Sequence, residues 1–137
     1  MKHLLTSFLL FIGLTSLSQT TYIDLNLQLD NYPGETSWLI TQGSDTVITS
    51  PSYEGIAPGS LIEQRIFLNS GVHDFILLDA FGDGICCAFG QGYITVENQC
   101  SGVIFEDYEF STSDTSYTFN ATPFDRDWET YTISKGV

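Results

Sequence analysis

Residues 22–30 constrain the fold more than any other part of the chain. Their sequence, YIDLNLQLD, alternates polar and apolar residues, and the apolar set is Ile23, Leu25, Leu27 and Leu29. A period of two places alternate side chains on one face of a β-strand, whereas an amphipathic helix requires a period of about 3.6. The segment is therefore predicted to be a strand with one buried face.

Seven further runs are rich in β-branched and aromatic residues and are bounded by turn residues, as strands are. Gly43-Ser44-Asp45 and Ser70-Gly71 are the clearest hairpin turns. The predicted strands are residues 36–42, 46–49, 61–69, 72–80, 91–97, 102–106 and 115–120. About eight short strands without an amphipathic helix predict an all-β fold, either an antiparallel β-sandwich or a jelly roll.

The N-terminus has the pattern of an export signal. A short basic start, Met1-Lys2-His3, precedes an apolar run at residues 4–17 that is too short to span a bilayer comfortably. Ser16 and Ser18 supply the small residues of a signal-peptidase site. We expect residues 1–18 to be a signal peptide, residues 19–120 to be the β-sandwich module and residues 121–137 to be a polar tail or linker. The expected location is extracellular.

The charge balance excludes one class of partner. The chain has 17 acidic residues against 4 Lys and Arg, for a formal net charge of −13. Such a chain is repelled by a phosphate backbone and by an anionic bilayer surface. We therefore expect no nucleic-acid binding, and no membrane insertion because no second apolar stretch reaches membrane length.

The sharpest chemical signal lies in residues 79–87. Asp79 and Asp83 are separated by glycine-permitted bends, so their carboxylates can turn toward one hard cation such as calcium. The loop is not an EF-hand, because Phe81 stands at the third position and Gly90 at the twelfth. The alternative is a polar loop in which both aspartates cap their own turn.

Calcium requires about six to eight oxygen ligands, so one loop cannot complete the site. Asp30 and Glu35, which flank the turn before the second predicted strand, are the weaker candidates for further ligands. The prediction is a calcium site formed by Asp79 and Asp83, with Asp30 and Glu35 contributing.

Two blocks of sequence resemble a module of secreted bacterial proteins. The first is DNYPGETSW at residues 30–38 and the second is FILLDAFGDGICC at residues 75–87. The similar module is an accessory domain found beside secreted proteases and adhesins, and the resemblance covers residues 21–119. It implies an extracellular β-sandwich with a role in binding or adhesion.

The cysteines depart from the pattern of that module. Its members usually have cysteines at both ends of the turn before the Asp-rich loop, where this chain has Phe67 and Val72. Three cysteines allow one disulfide and leave one thiol. We expect Cys100 to pair with Cys87, with Cys86 as the alternative partner, for about 3 kcal/mol of loop-closure stabilisation. A bond between the adjacent Cys86 and Cys87 is the strained alternative.

Aromatic residues in or beside predicted loops are candidates for ligand contact, because exposed rings stack on sugars. The alternative is that these rings fill the ends of the sandwich, which is the commoner role for any single ring. The predicted ligand contacts are Trp38, Tyr32 and Phe81, and further candidate rings are Tyr53, Phe89 and Tyr93.

Catalysis is disfavoured. His73 is the only histidine after residue 18, and it shares a predicted strand face with Phe75 and Leu77, which indicates a core residue. This disfavours Ser-His-Asp, Cys-His and zinc chemistry, and no carboxylate pair stands out as that of a glycosidase. The sequence predicts a secreted, non-catalytic, calcium-stabilised module that contacts a glycan or a cell-surface protein. The alternatives are a structural accessory domain packed against a secreted protease or adhesin and, less favoured, a small hydrolase.

Overall fold

Eight strands build the part of the chain that the computed structural model describes, which comprises residues 20–98 and 102–123. A short 3-10 helix, Pro33–Glu35, precedes the second strand. Every predicted strand is confirmed, with ends that differ by at most two residues. The strands are β1 (Thr20–Gln28), β2 (Thr36–Gln42), β3 (Asp45–Thr49), β4 (Leu61–Asn69), β5 (Gly71–Asp79), β6 (Tyr93–Asn98), β7 (Gly102–Asp107) and β8 (Asp114–Ala121).

The strands form two four-stranded antiparallel sheets. The first has the order β4-β1-β6-β7 and the second has the order β3-β2-β5-β8. The all-β antiparallel fold is confirmed and the two sheets enclose one apolar core, as in a β-sandwich. The strand orders do not show the jelly-roll connectivity that was the alternative.

Strand β1 behaves as its alternation predicts. It lies between β4 and β6, and its apolar side chains are fully buried while the residues between them are half-buried. On the second sheet, Trp38 and Phe75 face inward and stack with ring centroids 5.4 Å apart. The Phe75 ring also lies 5.4 Å from that of Phe105 on β7, which joins the two sheets across the core.

Tyr117 closes the gap between β7 and β8. Its ring stacks on that of Phe105 at a centroid distance of 4.2 Å, and its hydroxyl donates a hydrogen bond to the Asp107 carboxylate. Burial, together with this hydrogen bond to a carboxylate, raises the pKa of Tyr117 to about 12. One edge of the sandwich is therefore held by an aromatic stack and a phenol–carboxylate pair.

This pair predicts a loss of stability in strong alkali. The folded state retains the Tyr117 proton beyond the ordinary pKa of 10.0, so its stabilising contribution is full below pH 10 and is lost as pH rises through about 12. We expect Tm above pH 10 to fall more steeply for the native protein than for Tyr117→Phe. Asp107→Asn, which removes the charge of the acceptor, should also flatten the profile. Equal slopes for all three proteins would contradict the assignment.

The ends of the module are only partly described. Ala121 is buried in β8, one residue beyond the predicted end of the module, and the Thr21 hydroxyl donates a hydrogen bond of 2.8 Å to the carbonyl oxygen of Thr122. The predicted signal peptide (1–18) and most of the predicted tail (124–137) lie outside the described residues. Within the described ranges, no helix has the length and apolar character to cross a bilayer.

Candidate functional site

The pairing of β2 with β5 brings the two sequence blocks together. The strands are antiparallel, and Thr36 at the start of β2 lies opposite Asp79 at the end of β5. The backbone N–H of Ala80 donates to the carbonyl oxygen of Glu35 at 2.9 Å, which extends this contact beyond the strands. The 3-10 helix and the Asp-rich loop are therefore neighbours at one end of the sandwich, which we call the cleft end.

Three of the four predicted metal ligands converge at the cleft end. One carboxylate oxygen from each of Glu35, Asp79 and Asp83 lies within 4.8 Å of the other two, a group we call the acidic cluster. Desolvation raises the pKa of Glu35, and the negative charges of Asp79, Asp83 and Asp30 raise it further. The cluster is thus a place where negative charges repel, and a bound cation would relieve that repulsion.

The loop holds Asp79 firmly. Its Oδ1 atom accepts backbone N–H bonds from Phe81 (3.1 Å), Gly82 and Asp83 (3.2 Å), so Asp79 caps its own turn as the alternative interpretation proposed. None of the hydrogen bonds between described residues uses the second oxygen, Oδ2. Capping and metal binding are therefore compatible, because one oxygen orients the carboxylate and the other remains available.

Asp30 lies near the acidic cluster but outside it. Its Oδ1 atom accepts a hydrogen bond of 2.8 Å from the backbone N–H of Tyr32, which shapes the turn before β2. Desolvation raises the pKa of Asp30, and the charges of Asp79 and Asp83 add to this against the opposing effect of the Tyr32 hydrogen bond. Asp30 therefore adds negative charge to the site, while the group that meets the distance criterion is Glu35, Asp79 and Asp83.

Thr36 is a polar residue of the site that the sequence reasoning missed. Its side chain is 3% exposed, and its Oγ1 atom has no hydrogen-bond partner among the described residues. Directly opposed residues of an antiparallel pair project to the same face of the sheet, so this hydroxyl lies on the same side as the Asp79 carboxylate. The sequence feature that could have indicated Thr36 is its position immediately after Glu35, at the start of a predicted strand.

An aromatic cleft borders the acidic cluster. It has a volume of about 200 Å³ and is lined by Tyr32, Glu35, Phe81, Asp83 and Phe89. The rings are open to solvent, with exposed fractions of 51% for Tyr32, 76% for Phe81 and 44% for Phe89. Two residues of the acidic cluster, Glu35 and Asp83, therefore form the polar wall of a cleft whose other walls are aromatic.

Phe89, which the sequence indicates only as a further candidate ring, lines the cleft. Its ring meets that of Tyr32 edge-on at a centroid distance of 5.8 Å, and its carbonyl oxygen accepts a hydrogen bond of 3.1 Å from the backbone N–H of Asn31. These contacts attach the loop after the Asp-rich segment to the turn before β2. No periodicity in the sequence indicated this loop-to-loop contact.

The predicted ligand contact at Trp38 is wrong. The side chain is 1% exposed, and its Nε1–H donates to the Tyr53 hydroxyl at 2.8 Å in the core. Tyr53 is buried as well, so neither ring reaches a ligand at the surface. The physical reason is register, because Trp38 shares the inward face of β2 with Ile40 and its ring fills the space between the sheets.

The structure brings together the two adjacent cysteines, whose pairing the sequence disfavours. The Sγ atoms of Cys86 and Cys87 are in close contact, whereas the prediction joined Cys100 to Cys87 or, alternatively, to Cys86. Cys100 lies outside the described residues, so the structure does not describe its surroundings. The backbone N–H of Cys86 donates to the carbonyl oxygen of Phe110 at 3.0 Å, which fixes this part of the loop against the segment before β8.

His73 is a core residue, as predicted. Its ring is buried and stacks on that of Phe119 at a centroid distance of 5.6 Å. It lies six positions before Asp79 along β5, or about 20 Å away at the rise of a strand. The imidazole therefore cannot act as a base for chemistry in the cleft.

The cleft end thus offers clustered carboxylates, one buried hydroxyl and exposed rings. This set suits an oxygen-ligated cation and a ligand with a flat apolar face. The pairing of Thr36 with Asp79 and the hydrogen bond from Ala80 to Glu35 bring the two sequence blocks to this end of the sandwich. Searches against protein-family models, curated proteins and solved structures find no match to this chain.

Proposed function

We propose that this protein is a secreted, non-catalytic binding module that holds calcium at the acidic cluster and contacts a carbohydrate in the adjacent aromatic cleft. The observation that carries the proposal is the position of Glu35 and Asp83, which belong both to the acidic cluster and to the wall of the cleft. A cation and a ligand at this end of the sandwich would therefore be neighbours.

The choice of calcium follows from the donor atoms. The acidic cluster offers three carboxylates, and Thr36 adds a neutral hydroxyl, so the donors are hard oxygens. Zinc favours nitrogen and sulfur ligands, and magnesium demands a stricter octahedral arrangement than loops usually provide. Calcium accepts carboxylates, hydroxyls and water in flexible geometries, which suits a site built partly on a loop.

The choice of a neutral carbohydrate follows from the rings and the charge. Tyr32, Phe81 and Phe89 present exposed faces on which a sugar ring can stack. The formal net charge of −13 disfavours polyanions such as nucleic acids or sulfated glycans. A neutral sugar meets no such repulsion.

The metal part is tested by melting the protein with calcium and with a chelator. A ligand at one hundred times its dissociation constant adds about 2.7 kcal/mol to the free energy of unfolding, or roughly 10 °C in Tm for a small domain. We expect a shift of this order for the native protein and none for Asp83→Asn, whose amide keeps the shape but not the charge of the carboxylate. The matched control is Glu63→Gln on the exposed face of β4, which should retain the full shift. A Tm that is the same with calcium and chelator would refute the calcium site.

The ligand part is tested on a glycan array probed with and without calcium. We expect neutral glycans to bind in calcium and the signal to be lost in chelator. Phe81→Ala should weaken binding, because the most exposed ring of the cleft is removed. A module that only packs against an attached protease or adhesin would instead leave every glycan unbound while retaining its calcium-dependent Tm.

A further inference from the structure

We infer that the calcium ion is itself the anchor for the ligand, and that two adjacent hydroxyl groups of one neutral sugar residue coordinate it directly. The inference rests on the proposed function and specifies its ligand class as sugars with a free vicinal diol. The observations behind it are the arrangement of oxygens around the acidic cluster, the position of the aromatic rings and the size of the cleft.

The residues of the acidic cluster and Thr36 differ in burial, which orders them in depth below the cleft. Asp79, which is 5% exposed, and the buried Thr36 form the floor, because they oppose each other on the inward face of the second sheet. Glu35 and Asp83 are half-buried and form the rim beside the cleft. Oxygens from the floor and the rim leave the cleft side of an ion open.

The number of donors leads to the same conclusion. The three carboxylates supply between three and five oxygens, because Glu35 and Asp83 can bind through one atom or two, whereas Oδ1 of Asp79 already accepts backbone N–H bonds. With the Thr36 hydroxyl, monodentate binding gives four oxygens, against about six to eight that calcium requires. The remaining positions are occupied by water when the protein is alone, and two neighbouring hydroxyls of a sugar can replace two such waters without a change in charge.

The unpartnered hydroxyl of Thr36 is an observation independent of the carboxylates. A buried hydroxyl without a hydrogen bond is destabilising, because its desolvation is not compensated. Thr36 pairs with Asp79 across the two strands and projects to the same face, yet its hydroxyl makes no hydrogen bond among the described residues. Coordination to a cation would use a lone pair of this oxygen. The unpartnered hydroxyl therefore supports an ion below the cleft.

The cleft limits the ligand to one sugar ring at a time. Its volume of about 200 Å³ is smaller than that of pockets that enclose drug-sized molecules. Glu35 and Asp83 mark the side where hydroxyls would meet the ion, and the aromatic rings line the remaining walls. A sugar held by a diol at the ion would therefore lay its ring carbons against Tyr32, Phe81 or Phe89.

The test replaces calcium with terbium, whose luminescence lifetimes in light and heavy water report the number of directly bound water molecules. The probes are the methyl glycosides of mannose, galactose and glucose, which present the common stereochemistries of adjacent hydroxyls. Each is compared with a deoxy analogue that lacks one hydroxyl of the pair. We expect at least one glycoside to lower the number of bound waters and its deoxy analogue to leave it unchanged.

Two variants sharpen the test. Phe81→Ala should bind terbium but require several-fold more glycoside for the same loss of water, because ring contact is removed while the donors remain. Phe67→Ala removes an exposed ring of β4 outside the cleft and should behave as the native protein. Melting curves of both variants establish that they are folded.

The outcomes separate the two proposals. If terbium binds and no glycoside changes the number of bound waters, the diol inference is wrong while the metal site stands. If a glycoside and its deoxy analogue act equally, direct coordination by a diol is also wrong. If terbium does not bind to the folded native protein, the proposed metal site fails and the inference fails with it.

Discussion

Replacing Gly84 with alanine is expected to lower the free energy of unfolding by about 4 kcal/mol. Gly84 has φ +75°, a left-handed conformation that a residue with a Cβ atom adopts only with strain. A Cβ atom built on it would lie 2.5 Å from the Cα of Ser111 and 2.7 Å from the carbonyl carbon of Phe110. These neighbours are backbone atoms, and the buried Phe110 ring and the hydrogen bond from Cys86 hold them in place.

The matched control for Gly84→Ala is Gly43→Ala. Gly43 has φ +62° in the turn between β2 and β3, and nothing lies within 4 Å of its added Cβ atom. The Gly43→Ala variant should therefore lose only the free energy of unfolding that corresponds to backbone strain, about 1–2 kcal/mol. Urea denaturation measures both losses. If the two variants lose equal stability, the clash at Gly84 is not the cause.

The same substitution should disturb the metal site. Gly84 follows Asp83 directly, so any shift that relieves the clash with Phe110 and Ser111 moves the loop that carries this carboxylate. We expect Gly84→Ala to lose most of the calcium-dependent shift in Tm, whereas Gly43→Ala should retain it. A comparison of the two variants thus tests whether the absence of a Cβ atom at Gly84 is needed for the proposed calcium binding.

Replacing Trp38 with alanine is expected to have the second large effect, a decrease of about 4 kcal/mol in the free energy of unfolding. The substitution empties the space between the sheets next to Phe75 and removes the stacking of the two rings. It also removes the indole N–H that donates to the Tyr53 hydroxyl, which leaves that buried hydroxyl without its donor. Chemical denaturation should show a lower midpoint with an unchanged m-value.

Two comparisons separate a structural role of Trp38 from a ligand contact. Trp38→Phe keeps an aromatic ring but not the N–H, so it should lose about 2 kcal/mol, between the native protein and the alanine variant. Phe81→Ala, at the most exposed ring, should stay within about 0.5 kcal/mol of the native protein. If folded Trp38→Phe loses glycan binding at unchanged calcium affinity, Trp38 would contact the ligand after all.

The strands were predictable because the signal for a strand is local. Alternation along β1 and the turn residues around Gly43 and Gly71 depend only on neighbours in the chain, and the structure has all eight predicted strands within two residues of their expected ends. The face of His73 was predictable for the same reason, since it alternates with Phe75 and Leu77 on one side of β5. Local periodicity was thus sufficient to predict the strands and part of the hydrophobic core.

The acidic cluster was only partly predictable. Asp79 ends β5 and Asp83 lies in the loop that follows, so their proximity follows from a short sequence separation and from the positive φ of Gly82 between them. Glu35 joins them because Thr36 pairs with Asp79, a register between strands that are distant in sequence. Asp30 has similar chemistry and lies in the same block as Glu35, yet its carboxylate instead caps the turn at Tyr32.

The sequence by itself determined the all-β class, the strand boundaries and the residue types of the site, because period-two alternation and turn chemistry act over a few residues. Only the tertiary structure decided which side chains became accessible. It buried Trp38 and Tyr53, exposed Phe81 and Phe89 beside the acidic cluster, and paired Thr36, whose hydroxyl is unpartnered among the described residues, with Asp79. The physical reason is that burial and proximity depend on strand register and on the packing of the two sheets, and both join residues far apart in the chain.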